Sequence, residues 1–192
     1  MGPKSADRGR EVRQRLLEAA AELIAERGWG AVSTRMVAER ADVGAGLVHY
    51  HFASVQVLLS AAAVGVMREV GASLEPLLER ADTPAEALEL LLTSLDRYTG
   101  DDAVSVLFAE TYLAATRDPE LRGQVAEVLA EFSARLGGWL ADHGVAEAGT
   151  TAAVVGSAID GLMMQRALHP GLTADAVLPV LARLVETPGG AG

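Results

Sequence analysis

The stretch from Ser33 to Ser54, STRMVAERADVGAGLVHYHFAS, reads as two short helices around a tight turn. Ser33 is an N-cap residue, and Val37 and Ala41 fall one turn apart behind it. This spacing predicts a supporting helix over Thr34 to Ala41 with one buried stripe. Asp42-Val43-Gly44 interrupts it, two turn-forming residues around one apolar anchor. A second helix follows from Ala45 to about His51, with Val48 and Phe52 pointing inward beside Val43. That leaves Ala45, Gly46, Leu47, His49 and Tyr50 on the outer arc, where small residues let a backbone approach a groove and His and Tyr can donate to phosphates or bases. The layout is that of a helix-turn-helix reading duplex DNA.

Working outward, the 192-residue chain is half apolar and long enough to bury a substantial core. It has no cysteine, which excludes disulfides, thiol catalysis and Cys-ligated zinc and fits a reducing compartment. The N-terminus shows no apolar leader core, and apolar stretches such as Leu58 to Met67 are too short to span a bilayer, so a cytoplasmic protein without a membrane partner is expected. Its net charge of −10 suits a DNA binder only once divided along the chain. Residues 1–54 carry 8 basic and 7 acidic side chains, whereas 55–192 carry 8 and 19. Lys4, Arg8, Arg10, Arg13 and Arg15 crowd the start, as either an extended arm for a phosphate backbone or minor groove or an ordinary solvated tail. The acidic remainder keeps the rest of the molecule off DNA.

The run Val37-Ala38, Ala41-Asp42-Val43-Gly44, Gly46-Leu47-Val48-His49-Tyr50-His51-Phe52 and Ser54 resembles the N-terminal signature of the TetR family of transcriptional regulators. The resemblance covers roughly Arg10 to Leu59; beyond it, the chain shares only the all-helical character of that family's ligand-binding domains. It implies a homodimer on a palindromic DNA operator, a small-molecule effector that releases it, and a helix after the DNA head whose tilt transmits ligand occupancy. The chain departs from the pattern with Gly44 and Ala45 where a polar or basic pair is common, Val55 for a usual lysine, and His49 for a usual tyrosine. Two phosphate contacts are thereby removed. The alternative is a helical small-molecule carrier with a degenerate DNA-binding head.

Taken in order, Val12, Leu16, Ala20, Leu23 and Ile24 predict a first amphipathic helix ended by Gly28 and Gly30, with Trp29 packing into the core. Ser54 caps a long linking helix carrying Val55, Leu58, Leu59, Ala62, Val66 and Val70 inward and ending near Pro76; Gly65 and Gly71 within it either make room for a neighbouring helix or act as a hinge. Thr83-Pro84-Ala85-Glu86 starts a helix whose stripe runs from Leu88 to Tyr98, stopped by Gly100. Asp102 opens Ala103 to about Thr116, and Asp118-Pro119 opens the next helix, which runs to His143-Gly144. Thr150 to Leu168 is apolar nearly all round, so one face packs on its own core and the other on a second subunit, with Gly156, Ser157, Ala158 and Gly161 permitting close approach. A cap at Asp175 places Pro179 in the first turn of the last helix. The tail from Thr187 to Gly192 should be disordered. The expectation is an all-α chain of about nine helices. A three-helix head over residues 1–54 sits on a ligand-binding and dimerisation body over 55–192. The resemblance assigns the dimer to the last two helices, about 150–168 and 175–186.

For DNA contact the sequence nominates Ser33, Thr34, Arg35, Ala45, Gly46, Leu47, His49, Tyr50, His51 and Ser54. The hydroxyls stand at helix N-termini that favour phosphate oxygens. Arg35 and His49 suit base edges, while Tyr50 and His51 suit the backbone. His49 and His51, two apart on a helix, face different ways and do not make a metal pair. For an effector pocket the candidates are Tyr98, Phe108, Tyr112, Trp139, Met163 and Met164, with Asp160 an acid in so apolar a helix that it needs a partner across the dimer or a wet cavity. The four histidines are scattered, and neither a nucleophile elbow nor a phosphate loop occurs. No enzyme, cofactor or metal is expected.

Overall fold

The computed structural model describes residues 3–186; the expected disorder of Thr187 to Gly192 lies outside them. Among the described residues there is no strand. Helix α1 spans Pro3–Arg27, so the basic segment is not an extended arm but the opening turns of a long helix. Its residues are good helix formers laced by local pairs: Arg10 to Asp7, and Gln14 to Glu18 at 2.9 Å. Gly28 follows with φ +81°, a conformation glycine adopts without strain. One 3-10 turn, Trp29–Ala31, leads to α2, Thr34–Arg40, and α3, Ala45–His51. The Ser33 hydroxyl accepts from the Met36 N–H, as an N-cap should. The turn places Asp42 at φ 52°, a left-handed position that Asp tolerates better than most residues.

Leu16, Ala20 and Ile24 of α1 close over Val37, Val48 and Phe52 to make the core of the head. Arg40 clasps α2 to α1, reaching Glu22 at 2.9 Å and Glu26 at 2.6 Å. The core does not stop there, because α4, Val55–Ala72, lies along α1 and adds the fully buried Leu58 and Leu59. Truncating such a leucine to alanine typically costs about 2–5 kcal/mol.

Helix α4 ends at Ala72 rather than near Pro76. Proline has no N–H for the Ala72 carbonyl and its ring would meet that carbonyl, so the chain breaks at Ser73 and restarts as α5, Leu74–Leu78, with Pro76 in its first turn. Gly65 and Gly71 do not make room for a neighbour, since a Cβ at either meets nothing within 4 Å. Counted as one span, Val55–Leu78 is long and apolar enough to cross a membrane, contrary to the expectation drawn from shorter stretches. Its leucines nevertheless lie in the packed centre of the protein.

The body continues with α6, Pro84–Ser94, capped by Thr83, and α7, Ala103–Ala115, capped by Asp102. The expected stripe to Tyr98 is cut short: the chain tightens into a 3-10 turn at Leu95–Arg97 and extends at Tyr98. Burial works against the charge of Asp102, yet hydrogen bonds from Ser105, Thr99 and Gly100 hold its carboxyl below the usual range. Helices α8, Pro119–Asp142, and α9, Ala148–Gln165, pack along each other, and α10, Ala174–Leu181, returns over α6. Close approach of α8 and α9 relies on Gly137, where a Cβ would stand 3.3 Å from Gly149, and on Gly156, 3.3 Å from the Phe132 ring. Gly156 therefore serves packing within the chain, not the outward face of α9. The last helix is capped by Thr173, whose hydroxyl accepts from Ala176 N–H, and not by Asp175. Pro179 thus lies inside it, leaving the Asp175 carbonyl without its helical donor, and the helix gives way to a 3-10 turn at Ala182–Leu184. The described residues hold ten α-helices, one more than expected because of the break at Ser73.

Candidate nucleic-acid interface and effector cavity

The three-residue link Phe52–Ser54 joins α3 to α4, and α3 buries Val48, with Phe52 just after it, against the head. Its other face is open. Ala45, Gly46, Leu47, His49 and Tyr50 are all exposed, and Tyr50 is 76% exposed, an unusual state for a tyrosine. His51 is half-buried, edge-on to Tyr50 with ring centroids 5.0 Å apart. Around this arc stand Ser33 and Ser54, whose oxygens cap α2 and α4 and whose hydroxyl protons remain free to donate, and Thr34, half-buried at the first turn of α2. Arg35 is exposed and paired with Glu39 at 2.8 Å, which raises its already high pKa. Arg13 of α1 lies over the Phe52 ring at 5.1 Å, a cation held against the aromatic that ends α3. Sequence reasoning had placed that residue in the arm.

A cavity of about 70 Å³ lies in the body, between α4–α5 (Met67, Val70, Leu74), the end of α6 (Leu91, Leu95), Phe108 of α7, Leu129 and Phe132 of α8, and the α9 stripe Gly156, Ile159, Asp160 and Met163. Three nominated residues line it: Phe108, Asp160 and Met163. Tyr112 joins them indirectly by donating its hydroxyl to Asp160 Oδ2 at 2.5 Å. Three others do not. Tyr98 is buried elsewhere under Arg97. Trp139 stacks on His143 with ring centroids 3.7 Å apart, and Met164 lies off the stripe because one helical residue turns it about 100° from Met163. Val70, an inward position of the linking helix in the sequence, lines the cavity too, whereas Met67 was not singled out. Burial pushes the Asp160 carboxyl up, with the Tyr112 hydrogen bond acting against it. Tyr112 is raised by burial first, and then by the charge and hydrogen bond of Asp160. Among the described residues no group of three or more metal-ligating side chains occurs.

Residues 16–62 match the model of the bacterial regulatory proteins of the tetR family, and residues 82–187 match the tetracyclin repressor-like C-terminal domain. The chain belongs to the TetR family. It is 31% identical over 139 residues to Rv2912c of Mycobacterium tuberculosis, an HTH-type transcriptional regulator, covering 71% of this chain and 69% of that protein. The solved structure of the regulator SCO7518 from Streptomyces coelicolor A3(2) is 30% identical with a TM-score of 0.78, covering 92% of this chain and 99% of that one. The multidrug binding protein EbrR in complex with malachite green is 30% identical with a TM-score of 0.65, covering 91% and 98%. This chain is accordingly a DNA-binding transcriptional regulator and not an enzyme. TetR-family regulators are soluble proteins that bind operator DNA and small-molecule effectors and act as dimers.

In this TetR-family chain the head and the cavity meet through α7. Phe108 and Tyr112, one turn apart, face the cavity side, and Glu110 faces away from them toward the head. Its carboxylate accepts the Trp29 N–H at 2.7 Å, while the Trp29 indole donates to Gln56 of α4 at 3.0 Å. Trp29 is thus a packed residue, as expected from sequence, but one that ties α1 to both α4 and α7.

Proposed function

We propose that the chain is a one-component repressor of about 1–54 and 55–192 division, in which a homodimer presents two copies of α3 to successive major grooves of a palindromic operator. The supporting observation is the outer arc of α3, which exposes Leu47, His49 and Tyr50 around two small residues and has no packing role. In this reading Arg35 exchanges Glu39 for a base or phosphate, His49 reaches base edges, and Ala45 and Gly46 admit the backbone. Ser33, Thr34, Tyr50, His51 and Ser54 hold the sugar–phosphate chain. The exposed apolar side chains Val154, Leu168, Val180 and Leu184 fit a dimer built on the last two helices. Cytoplasmic location follows from work on DNA.

The effector occupies the cavity lined by Phe108, Asp160 and Met163. At about 70 Å³ the cavity is smaller than the roughly 300–1,000 Å³ of a drug-sized site, so an occupant larger than a few waters must spread its walls. Met67 and Val70 put the far end of α4 in that wall, and the near end of α4 carries α3. Spreading therefore changes the spacing of the two heads, and an operator bound by both at once is lost. Selection of duplexes from a random DNA pool by the purified protein at near-physiological salt tests this reading. An enriched palindrome with half-sites about one helical turn or slightly more apart is expected. A folded dimer that enriches nothing would make the carrier with a degenerate head the better description.

A further inference from the structure

The polar groups in the cavity wall have one property in common. Ser73 Oγ donates its proton to the Val70 carbonyl and Ser94 Oγ to the Leu91 carbonyl, each at 2.6 Å. Both hydroxyls are therefore left with lone pairs only. Asp160 carries no proton to give when ionised; Tyr112 takes its Oδ2, and among the described residues no donor or cation takes Oδ1. The cavity thus offers acceptors to its occupant and no side-chain donor, and its other walls are apolar and aromatic. Asp160 stands one turn from both Gly156 and Met163 and lines this space with them. A carboxylate in apolar surroundings without a counter-charge is costly, and a ligand that brings the missing positive charge removes the cost.

We propose that the effector is a compact apolar organic cation, of the primary or substituted amine class. Its N–H donors are taken by Asp160 with Ser73 and Ser94 as further acceptors, and its body lies among Phe108 and Phe132, whose ring faces favour a cation. Anionic effectors are excluded by the same lining. A calcium or magnesium ion does not fit either, since one carboxylate is far from the six or more oxygens such an ion gathers. The inference rests on the effector-cavity reading above and adds its chemistry.

Calorimetric titration of the full-length protein with benzylamine, benzyl alcohol and benzoate tests it, because the three share a body and differ in charge. Benzylamine, cationic at neutral pH, is expected to bind at least about tenfold more tightly than benzyl alcohol, as befits a hydrogen bond to a charged group. Benzoate should bind weakest. In Asp160→Asn the amine and alcohol become equal, while Tyr112→Phe, which keeps the carboxylate, retains the preference for the amine. Equal binding of the alcohol, tighter binding of benzoate, an amine preference that survives Asp160→Asn, or no heat with any of the three would each overturn the proposal. Operator binding measured on the same sample separates the two failures. Loss of the amine preference with operator binding intact removes only this inference, whereas a folded protein that binds no operator removes the regulator reading itself.

Discussion

Replacing Gly100 by alanine should loosen the body beside its cavity, and the size of the loss can be worked out. Gly100 has φ +90°, and a Cβ held in left-handed backbone costs about 1–2 kcal/mol. The added methyl would also stand 2.5 Å from the backbone nitrogen of Ala167 and 3.3 Å from that of Arg166. That backbone cannot retreat, because the Arg166 guanidinium is bonded to the carbonyls of Leu95, Tyr98 and Leu172 and to Asp96 at 3.1 Å. Overpacking against fixed atoms adds about 1–3 kcal/mol. The sum, about 2–5 kcal/mol, lowers Tm by roughly 4–20 °C in a chain of this length. Thermal melts at one fixed protomer concentration measure it, as a dimer's stability depends on concentration. Gly65→Ala is the matched control, lying within α4 with nothing within 4 Å of the new Cβ; it should gain up to about 1 kcal/mol. Shifts of the same sign in both variants, or a loss under about 1 kcal/mol for Gly100→Ala, would refute the reasoning.

Three further outcomes are expected. Asp160→Asn should raise the melting temperature of the ligand-free protein at pH 7. The folded state raises this carboxyl above its unfolded value, so the ionised form weighs against folding. Both states are protonated well below the ordinary aspartate value of about 3.9, so the gain vanishes in acid and grows as pH rises through that value toward the folded one. A variant less stable at pH 7 would mean that Asp160 already has a cationic partner. Asp42→Val should destabilise the head by about 1–2 kcal/mol in chemical denaturation while Asp42→Gly is tolerated, because Asp42 is left-handed at φ 52°; equal losses would contradict this. Arg35→Ala and His49→Ala should each weaken operator binding by about 1–3 kcal/mol in gel-shift titrations and leave the dimer intact in sedimentation. Dissociation of the dimer by either change would remove those residues from the DNA face.

Much of this was legible in the chain because local signals agreed with one another. Ser33, Ser54, Thr83, Asp102 and Asp118 were read as caps from residue type and position, and each accepts from the backbone of the helix it opens. The exposed arc of α3 followed from the spacing of Val48 and Phe52. Signals failed where two devices competed: Thr173 and Asp175 are both competent caps, and the proline rule favoured the one the fold does not use. The basic opening was taken as an arm because charge density is visible in sequence while helix formation by mixed-charge residues is less so. The cavity was the least legible feature. Its walls come from five separate stretches, and periodicity shows only that a residue such as Val70 faces inward, not that space remains beside it. Asp160 was singled out by polarity alone, and only the structure shows that its partner is Tyr112.

The central claim, that α3 reads DNA, is tested most directly by Gly46→Glu on a duplex enriched by selection. A Cβ at Gly46 meets nothing within 4 Å, and a carboxylate in the first turn of α3 favours the helix, so the fold should hold or gain. The same carboxylate would face the phosphates. Fluorescence anisotropy should show the unaltered protein saturating the duplex and the variant binding at least about a hundredfold more weakly, with a melting temperature equal or higher. Undiminished binding by a folded Gly46→Glu protein would contradict the account.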